Sequence, residues 1–404
     1  MGQRIEVTST AIGDTAIFDL DRSLTGQDQV SFSGPPGNTD SPPSLLAYRL
    51  FSADPEINHV HTLSNTVSVT REGGWPDDVI NSAADKIANL FIHYRAESPA
   101  ETAERLRDEH YNATITDIRD PNPELWVMRI RPDETLSEFK PGQYTTLALG
   151  YWEPRVDDAL EDFESNPDLW RKLARRSYSV SSSMVDESGE LLEPQEDEIE
   201  FYVVLVAPTE EHIPALTPRL FNKRVGDRIF LGRKFTGRYT LDDVNPGDTC
   251  IFLSTGTGEA PHNQMIAELM RRGHDGRIFS AVCVRYRKDL AYTEQHAVLD
   301  NRYDNYTYLT LTTREPENEG NKVYIQDLVK SGRLEDELGQ PLDPDITHVF
   351  LCGNPAMIGI PDRDEETGEL IFPESLGVCQ ILHERGFKID HRRDPGNVHY
   401  EEYW

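Results

Sequence analysis

A glycine-rich turn near residue 255 is the first segment whose composition could do chemistry. The apolar run Cys250–Leu253 predicts a buried strand, and Ser254-Thr-Gly-Thr-Gly-Glu-Ala-Pro261 follows it directly. Glycines let a phosphate approach the backbone closely, and the N–H groups that begin a following helix attract anions. The turn therefore favours a nucleotide pyrophosphate as its ligand, with an ordinary tight strand–helix turn as the alternative.

Two further segments combine hydroxyl groups with cations. In Arg176-Ser-Tyr-Ser179, the arginine could neutralise a diphosphate, Tyr178 could stack on a flat ring, and Ser179 could hydrogen-bond a ring nitrogen. Leu216-Thr-Pro-Arg-Leu220 offers the hydroxyl of Thr217 and the cation of Arg219. Each segment is a weak signal by itself, and an ordinary strand end is the favoured interpretation of the first.

Residues 313–324 carry groups suited to a ribose 2′-phosphate and a stacked adenine. Thr313 and Arg314 end a predicted strand, and Lys322 and Tyr324 follow soon after. A solvated, charged loop is the alternative for this segment.

Cys352 and the last two aromatic residues complete the candidates. The thiol of Cys352 ends an apolar run, where open α/β sheets bind ligands, although a buried structural cysteine is the default there. Tyr403 and Trp404 predict a packed tail, unless a flat cofactor requires a lid.

Two scaffolds are needed to position these residues, and the hydrophobic pattern predicts both. β-rich runs predict an antiparallel barrel, interrupted by a charged helical insertion at 153–174; they cover residues 113–118, 125–130, 144–149 and 199–206. After Gly247, buried runs alternate with helical segments and predict a parallel sheet; they cover residues 250–253, 278–284, 306–311 and 348–351. Cys352 then ends the last strand.

The N-terminal part is predicted to be a separate α+β domain. Helices are expected at Ser44–Phe51 and from Asp77, and short strands at 59–63 and 66–70. Residues 1–39 are rich in Gly, Asp, Ser and Thr and end in a turn-rich stretch at Ser33–Asn38. A capping box at Ser98 predicts a connecting helix to His110. The predicted multidomain organisation is an α+β domain (1–97), a linker helix (98–110), an antiparallel β-barrel domain (111–246) and an α/β parallel-sheet domain (247–404).

Composition excludes several functional classes. The chain has 404 residues and a net charge of −31, which disfavours binding to nucleic acids and anionic membranes. No apolar run approaches the ~18 residues of a membrane helix. The four cysteines form no Cys-x-x-Cys pair, so no metal or iron–sulfur site is expected. We therefore expect a cytoplasmic, globular, monomeric protein.

The order of the motifs resembles the ferredoxin–NADP reductase family. Arg-x-Tyr-Ser, Ser-Thr-Gly-Thr-Gly-x-Ala-Pro, Thr-Arg…Lys-x-Tyr, Cys-Gly-Asn-Pro and a Tyr-Trp terminus succeed one another between residues 108 and 404. The ending from Arg392 is similar to the bacterial ferredoxin/flavodoxin–NADP reductases, and the segment Thr313–Gln326 is similar to the plastid branch. The resemblance implies an FAD-binding barrel and an NADP-binding sheet. It also implies hydride exchange with NADP(H) and single-electron exchange with ferredoxin or flavodoxin.

For the flavin, the resemblance implies a role for each matching residue. Arg176 and Thr217 would hold the FAD pyrophosphate, Tyr178 would stack on the isoalloxazine, and Ser179 would hydrogen-bond near N5. Phe201, Tyr202 and Val203 would line the ribityl and adenine side. Tyr403 would cover the other flavin face, and Trp404 would pack near the adenine.

For the nicotinamide nucleotide, the resemblance implies a second set of binding residues. Thr257 and Cys352 would flank the nicotinamide, Gly256 and Gly258 would shape the turn, and Glu401 would serve proton or nicotinamide positioning. The residues around the 2′-phosphate and adenosine would be Arg285, Thr313, Arg314, Lys322 and Tyr324. Glu259 and His262 depart from the family pattern, which has apolar residues there.

An acidic electron carrier requires a basic docking surface on this acidic chain. Residues 219–238 hold seven basic residues against the single acid Asp227, a local charge of +6. We hypothesise that this segment steers the carrier. A solvated rim that partly serves the FAD phosphates is the alternative.

Residues 40–94 resemble the N-terminal domain of NifU-like (Nfu) iron–sulfur scaffold proteins. The similarity lies in Leu45–Phe51, Ile57–Val60, Asn65–Thr70 and Trp75. It implies a recognition module for iron–sulfur assembly proteins that cannot itself hold a cluster. The alternative functions are therefore an electron-supplying factor in iron–sulfur assembly, or another NADPH-dependent flavin reductase of the superfamily.

Overall fold

The computed structural model describes residues 4–403 except 93–97, 162, 164, 195, 196, 365, 366 and 393. The chain divides into two compact units, Met1–Ser98 and Pro99–Trp404.

Unit 1 is an antiparallel sheet with helices packed on one face. Its elements are β1 (Val7–Ile12), β2 (Thr15–Leu20), β3 (Gln29–Phe32), α1 (Pro42–Ala53), β4 (Ile57–Leu63), β5 (Thr66–Arg71) and α2 (Asp77–Ala88). The strand order is β1-β2-β5-β4-β3. Alternate side chains such as Phe18, Val60 and Val69 are fully buried against Leu46 and Ile87 of the helices.

The sequence analysis assigned no strand within residues 1–39, where β1, β2 and β3 lie. In β1, five of the six residues are exposed, so the strand lacks the apolar alternation that would have revealed it. The predicted helices and the strands β4 and β5 are present.

The first half of unit 2 is an antiparallel sheet. Its elements are α3 (Pro99–His110), β6 (Ala113–Asn122), β7 (Leu125–Pro132), β8 (Tyr144–Gly150), β9 (Leu173–Ser179), β10 (Ile199–Val204), α4 (Thr217–Leu220) and β11 (Arg228–Leu231). The strand order is β10-β7-β6-β11-β8-β9. A single bridge between Ser181 and Glu200 joins the segment after β9 to β10.

The helical insertion predicted at 153–174 is wrong. Its described residues form turns, one 3₁₀ turn (Leu169–Arg171) and the start of β9. Acidic side chains of the segment form ion pairs with buried cations: Glu161 pairs with Arg155 and Arg219. Glu153, only 4% exposed, pairs with Lys223 at 2.7 Å. Several of the charges that suggested a helix, those of Glu153, Arg155 and Glu161, are therefore in internal ion pairs.

The second half of unit 2 is a parallel sheet flanked by helices. Its elements are β12 (Thr249–Thr255), α5 (Glu259–Arg271), β13 (Ile278–Val284), α6 (Thr293–Arg302), β14 (Tyr306–Thr312), α7 (Ile325–Lys330), α8 (Arg333–Leu338), β15 (Thr347–Gly353), α9 (Pro355–Ile358), β16 (Asp362–Arg363), β17 (Leu370–Ile371), α10 (Val378–Glu384) and β18 (Val398–Glu402). The strand order is β14-β13-β12-β15-β18.

The strand that carries Cys352 is not the last one, which corrects the sequence prediction. β18 pairs in parallel with β15, and Cys352 stands opposite Glu401 in the register. This edge strand buries Val398 and His399 but leaves its next three residues partly exposed, so its sequence lacks a continuous apolar run.

Candidate functional site

Ser179 and Glu401 meet although 222 positions separate them. Ser179 ends β9, Glu401 lies in β18, and the serine Oγ donates to the glutamate Oε2 at 2.9 Å. Burial raises the pKa of Glu401 to about 7, while the hydrogen bond from Ser179 opposes that rise. The pair is therefore a hydroxyl beside a carboxyl group that changes charge near neutral pH.

Cys352 and Tyr403 lie against this pair. Cys352 is fully buried, and burial raises the pKa of its thiol well above the ordinary range. The Tyr403 backbone N–H donates to the Gly353 carbonyl at 2.9 Å, and its ring packs in the cluster that contains Cys352. The four residues predicted to be catalytic thus come together at the ends of β9, β15 and β18.

The glycine-rich turn packs against the same end of β15. It forms a 3₁₀ turn (Gly256–Gly258) that holds Thr257 partly exposed, and Gly256 has a φ of +55°. A Cβ on Gly258 would lie 2.3 Å from the Cys352 carbonyl oxygen, so only glycine fits there. The turn therefore stands beside the cysteine.

The residues predicted to hold FAD differ in accessibility. Arg176 is exposed on β9, and it forms no ion pair within the described part of the chain. Tyr178 packs edge-on against Phe201 with ring centroids 6.4 Å apart. Thr217 is 8% exposed, and its hydroxyl accepts from the Val206 N–H at 3.2 Å.

The β10 residues are buried. Phe201 and Val203 lie in the core of the antiparallel sheet, and the Tyr202 hydroxyl donates to the Asp289 carbonyl at 2.9 Å. Phe201, Tyr202 and Val203 therefore offer a cofactor their main chain rather than their side chains, whereas Val204 at the end of the strand is exposed.

The residues predicted around the 2′-phosphate gather at the carboxyl ends of β13 and β14. Arg285 and Arg314 are exposed and adjacent, since the Arg314 N–H donates to the Arg285 carbonyl at 2.8 Å. Thr313 is 9% exposed, and its hydroxyl donates to Val284. Lys322 and Tyr324 are exposed just before α7, whose Ile325 packs in the core with Cys283 of β13. Among the described residues, no acid pairs with Arg285, Arg314 or Lys322.

Comparisons with known proteins identify the family. Residues 252–362 match the family model described as an oxidoreductase NAD-binding domain. The flavodoxin/ferredoxin–NADP reductase of Escherichia coli is 31% identical over 225 residues, which cover 54% of this chain and 76% of that protein. The chain belongs to the flavodoxin/ferredoxin–NADP reductase family.

Other family members confirm the extent of the similarity. The flavodoxin/ferredoxin–NADP reductase of Buchnera aphidicola (strain Sg) is 25% identical over 294 residues, 72% of this chain and 98% of that protein. A solved ferredoxin NADP⁺ reductase from Neisseria gonorrhoeae, with bound FAD and NADP, shares the fold. Its TM-score is 0.53 at 21% identity, over 72% of this chain and 98% of that one.

In the basic segment 219–238, acids from elsewhere in the chain neutralise most of the formal charge of +6. Five of its seven cations pair with acids from elsewhere in the chain: Arg219 with Glu161, Lys223 with Glu153, Arg228 with Asp133, Arg233 with Glu134 and Arg238 with Asp390. Arg219 is 1% exposed and also donates to three backbone carbonyls, so it is a structural residue in this family member.

Tyr239 was missed by the sequence analysis. It is buried beside Cys352, Glu401 and Tyr403, burial raises the pKa of its hydroxyl well above the ordinary value, and that hydroxyl hydrogen-bonds His262 Nε2 at 2.7 Å. A tyrosine that follows a basic loop carries no sequence signal for such a position.

Trp404 lies outside the described residues. Within the described part of the chain, no group of three or more His, Cys, Asp or Glu side chains is arranged to hold a metal. No helix there is long and apolar enough to cross a membrane.

Proposed function

We propose that this reductase carries FAD, exchanges hydride with NADP(H), and exchanges single electrons with ferredoxin or flavodoxin. The observation that supports this proposal best is the convergence of Ser179, Cys352, Glu401 and Tyr403 beside the glycine-rich turn. When bound, the flavin supplies the conversion between two-electron and one-electron transfer.

The residues present fit a flavin in the antiparallel half of unit 2. Arg176 is an exposed cation without a carboxylate partner among the described residues, which suits a pyrophosphate. Ser179 would hydrogen-bond near N5, Tyr178 would lie against the ring, and Tyr403 would cover its other face. We further propose that the six-stranded sheet closes as a barrel through the Ser181–Glu200 contact.

The parallel half fits NADP(H) better than NAD(H). The glycine-rich turn would hold the pyrophosphate, with Thr257 and Cys352 near the nicotinamide. Arg285, Arg314 and Lys322 would hold the 2′-phosphate, and Tyr324, 45% exposed, would stack on the adenine. Unpaired cations are notable in a chain with a net charge of −31.

We propose that the electron carrier docks on cations that form no ion pair with a described residue. Arg171, Lys172 and Arg175 lie at or just before the edge strand β9, in a stretch without acids, and form no ion pair with a described residue. Arg175 also lies over the Phe230 ring at 4.7 Å. Together with Lys234, these residues offer a positive surface next to the site for an acidic carrier.

For unit 1, we propose a protein-recognition role of the Nfu-like kind, with iron–sulfur assembly proteins as candidate partners. Its sheet has an open polar face, on which Ser31 bonds His61 Nδ1 at 2.7 Å and Ser33 bonds His59 Nδ1 at 3.3 Å. An electron-supplying role in iron–sulfur assembly is the second candidate function. The four free, buried thiols suit a reducing compartment such as the cytoplasm, and we propose a monomer.

Purification of the full-length protein tests the main proposal. We expect a flavin absorption spectrum and a kcat/KM for NADPH well above that for NADH with ferricyanide as acceptor. The double variant R314A/K322A should lower kcat/KM for NADPH by about 10- to 100-fold, because two charge-assisted contacts are lost, and should change the NADH value less than about 2-fold.

The matched control is R333A, which removes an exposed cation of α8 that pairs with Glu337. It should leave both coenzyme values unchanged. A protein without flavin, or one with equal use of NADH and NADPH, would contradict the proposal.

A further inference from the structure

Glu259 opens α5 directly after the glycine-rich turn and is buried, with 1% of its surface exposed. Its Oε1 accepts from the Tyr308 hydroxyl at 2.8 Å and lies 3.2 Å from His296 Nε2. Tyr308 belongs to β14 and His296 to α6. One side chain therefore ties the end of the turn to two other elements of the parallel half.

His296 extends this contact into a closed network. Its Nε2 faces both Glu259 Oε1 and, at 3.0 Å, Asn263 Oδ1, so the ring proton lies on Nε2. Its Nδ1 then accepts from the Tyr306 hydroxyl at 2.7 Å. The histidine is fully buried and stacks on Tyr308 with ring centroids 4.0 Å apart. Both ring nitrogens of His296 thus have buried partners on neighbouring elements.

The opposite side of the turn is held by backbone packing. Gly258 lies against Cys352, and the Thr255 hydroxyl accepts from the Asn354 N–H at 2.7 Å. The turn is therefore fixed to β15 on one side and, through Glu259, to α6 and β14 on the other.

Burying the Glu259 carboxylate next to the turn costs free energy. The carboxylate is out of water, its Oε2 has no hydrogen-bond partner among the described residues, and no Lys or Arg of the described chain pairs with it. An apolar side chain would avoid that cost if packing were its only role.

We propose that Glu259 is a positioning residue for the nicotinamide nucleotide, holding the Gly256–Gly258 turn through Tyr308 and His296. This inference rests on the proposed function, since the turn is the proposed pyrophosphate site. The carboxylate acts through the turn and does not touch the reacting atoms.

The test uses the full-length, FAD-loaded enzyme and two readouts, NADP⁺ Kd from flavin difference spectra and steady-state NADPH–ferricyanide kinetics. E259A leaves the Tyr308 hydroxyl unpaired and the His296 N–H with Asn263 Oδ1 as its only acceptor, so Kd and KM should rise about 10-fold while kcat stays within about 2-fold. E259Q keeps an acceptor at Oε1 and should restore both to within about 3-fold of wild type. Y308F removes one donor and should raise Kd about 3-fold.

Y111F is the matched control, because Tyr111 makes another buried tyrosine–glutamate bond, to Glu153 at 2.9 Å, in the antiparallel half. Its NADP⁺ Kd should equal that of wild type. If E259A and Y308F bind NADP⁺ as wild type does, the positioning role is wrong; if E259A does not fold, Y308F decides alone. A wild-type enzyme that binds no flavin or NADP⁺ would instead overturn the proposed function.

Discussion

Glu401 owes its chemistry to where it is buried. A carboxyl group taken out of water is harder to ionise, and a single hydroxyl donor, Ser179, compensates only in part. The resulting pKa of about 7 leaves the group half-ionised at neutral pH. The charge next to the proposed nicotinamide site therefore depends on pH in the physiological range.

We predict that the rate of flavin reduction by NADPH rises with pH through about 7 in the wild type. Hydride loss makes the nicotinamide ring cationic, and ionised Glu401 stabilises that charge. E401Q should remove the inflection and lower the rate about 10-fold at pH 8. Stopped-flow absorbance of the flavin from pH 5.5 to 9 measures both effects. An E401Q profile that keeps the wild-type inflection would assign the titration to another group.

Sequence reasoning selected residues that belong to local motifs, and their catalytic roles stay a prediction. Ser179, Cys352, Glu401 and Tyr403 were selected from motif order, and the structure brings them together. It failed where a partner comes from far along the chain. In the sequence, Arg219 was a candidate cation for a phosphate, but its guanidinium pairs with Glu161 and donates to three backbone carbonyls. Glu259 and His262 stood out only as departures, since the residues that bond them lie on β14, α6 and a distant loop.

At the scale of elements, burial explains part of what could be predicted, although the inner strand β2, which buries Ala16, Phe18 and Leu20, was also missed. The central strands β12, β13 and β15 are buried on both faces, so continuous apolar runs revealed them. Strands β1, β3 and β18 lie at sheet edges and carry polar or aromatic side chains, so no such run marks them. The acids of 153–161 were misassigned to a helix, because sequence alone does not show which charges are paired inside the fold.

The edge strand β9 is where we expect the carrier to dock. The double variant K172E/R175E should lower the kcat/KM for a ferredoxin or flavodoxin acceptor about 10-fold, and the wild-type rate should fall as salt screens the charges. NADPH–ferricyanide activity of the FAD-saturated enzyme should not change, since both substitutions keep the main chain, including the residue 175 carbonyl that Arg176 bonds. R233E is the comparison: Glu134 already accompanies that arginine at 2.9 Å, so the effect should be smaller. Equal losses for both variants would favour the original 219–238 surface.

At the scale of the whole chain, the reductase fold accounts for about three quarters of the residues. The Buchnera reductase is matched over 98% of its length by 72% of this chain, and unit 2 covers residues 99–404. Unit 1 has its own core, with Phe18, Leu50 and Ile87 fully buried, and no cysteine. Nearly a hundred residues suffice for an independently stable domain. The two units therefore meet the requirements for separate folding.

We predict that residues 98–404, expressed alone, fold, bind flavin and reduce ferricyanide with a kcat/KM for NADPH within about 2-fold of the full chain. The reason is that every described contact of Ser179, Cys352, Glu401 and Tyr403 lies within unit 2. Carrier reduction should be equally preserved, because the β9 cations also belong to unit 2. The truncated protein should no longer capture iron–sulfur assembly proteins. A pull-down with three baits measures this: residues 98–404, the full chain and residues 1–92. Loss of flavin on truncation would instead show that unit 1 completes the cofactor site, and unit 1 would then be part of the enzyme rather than a recognition module.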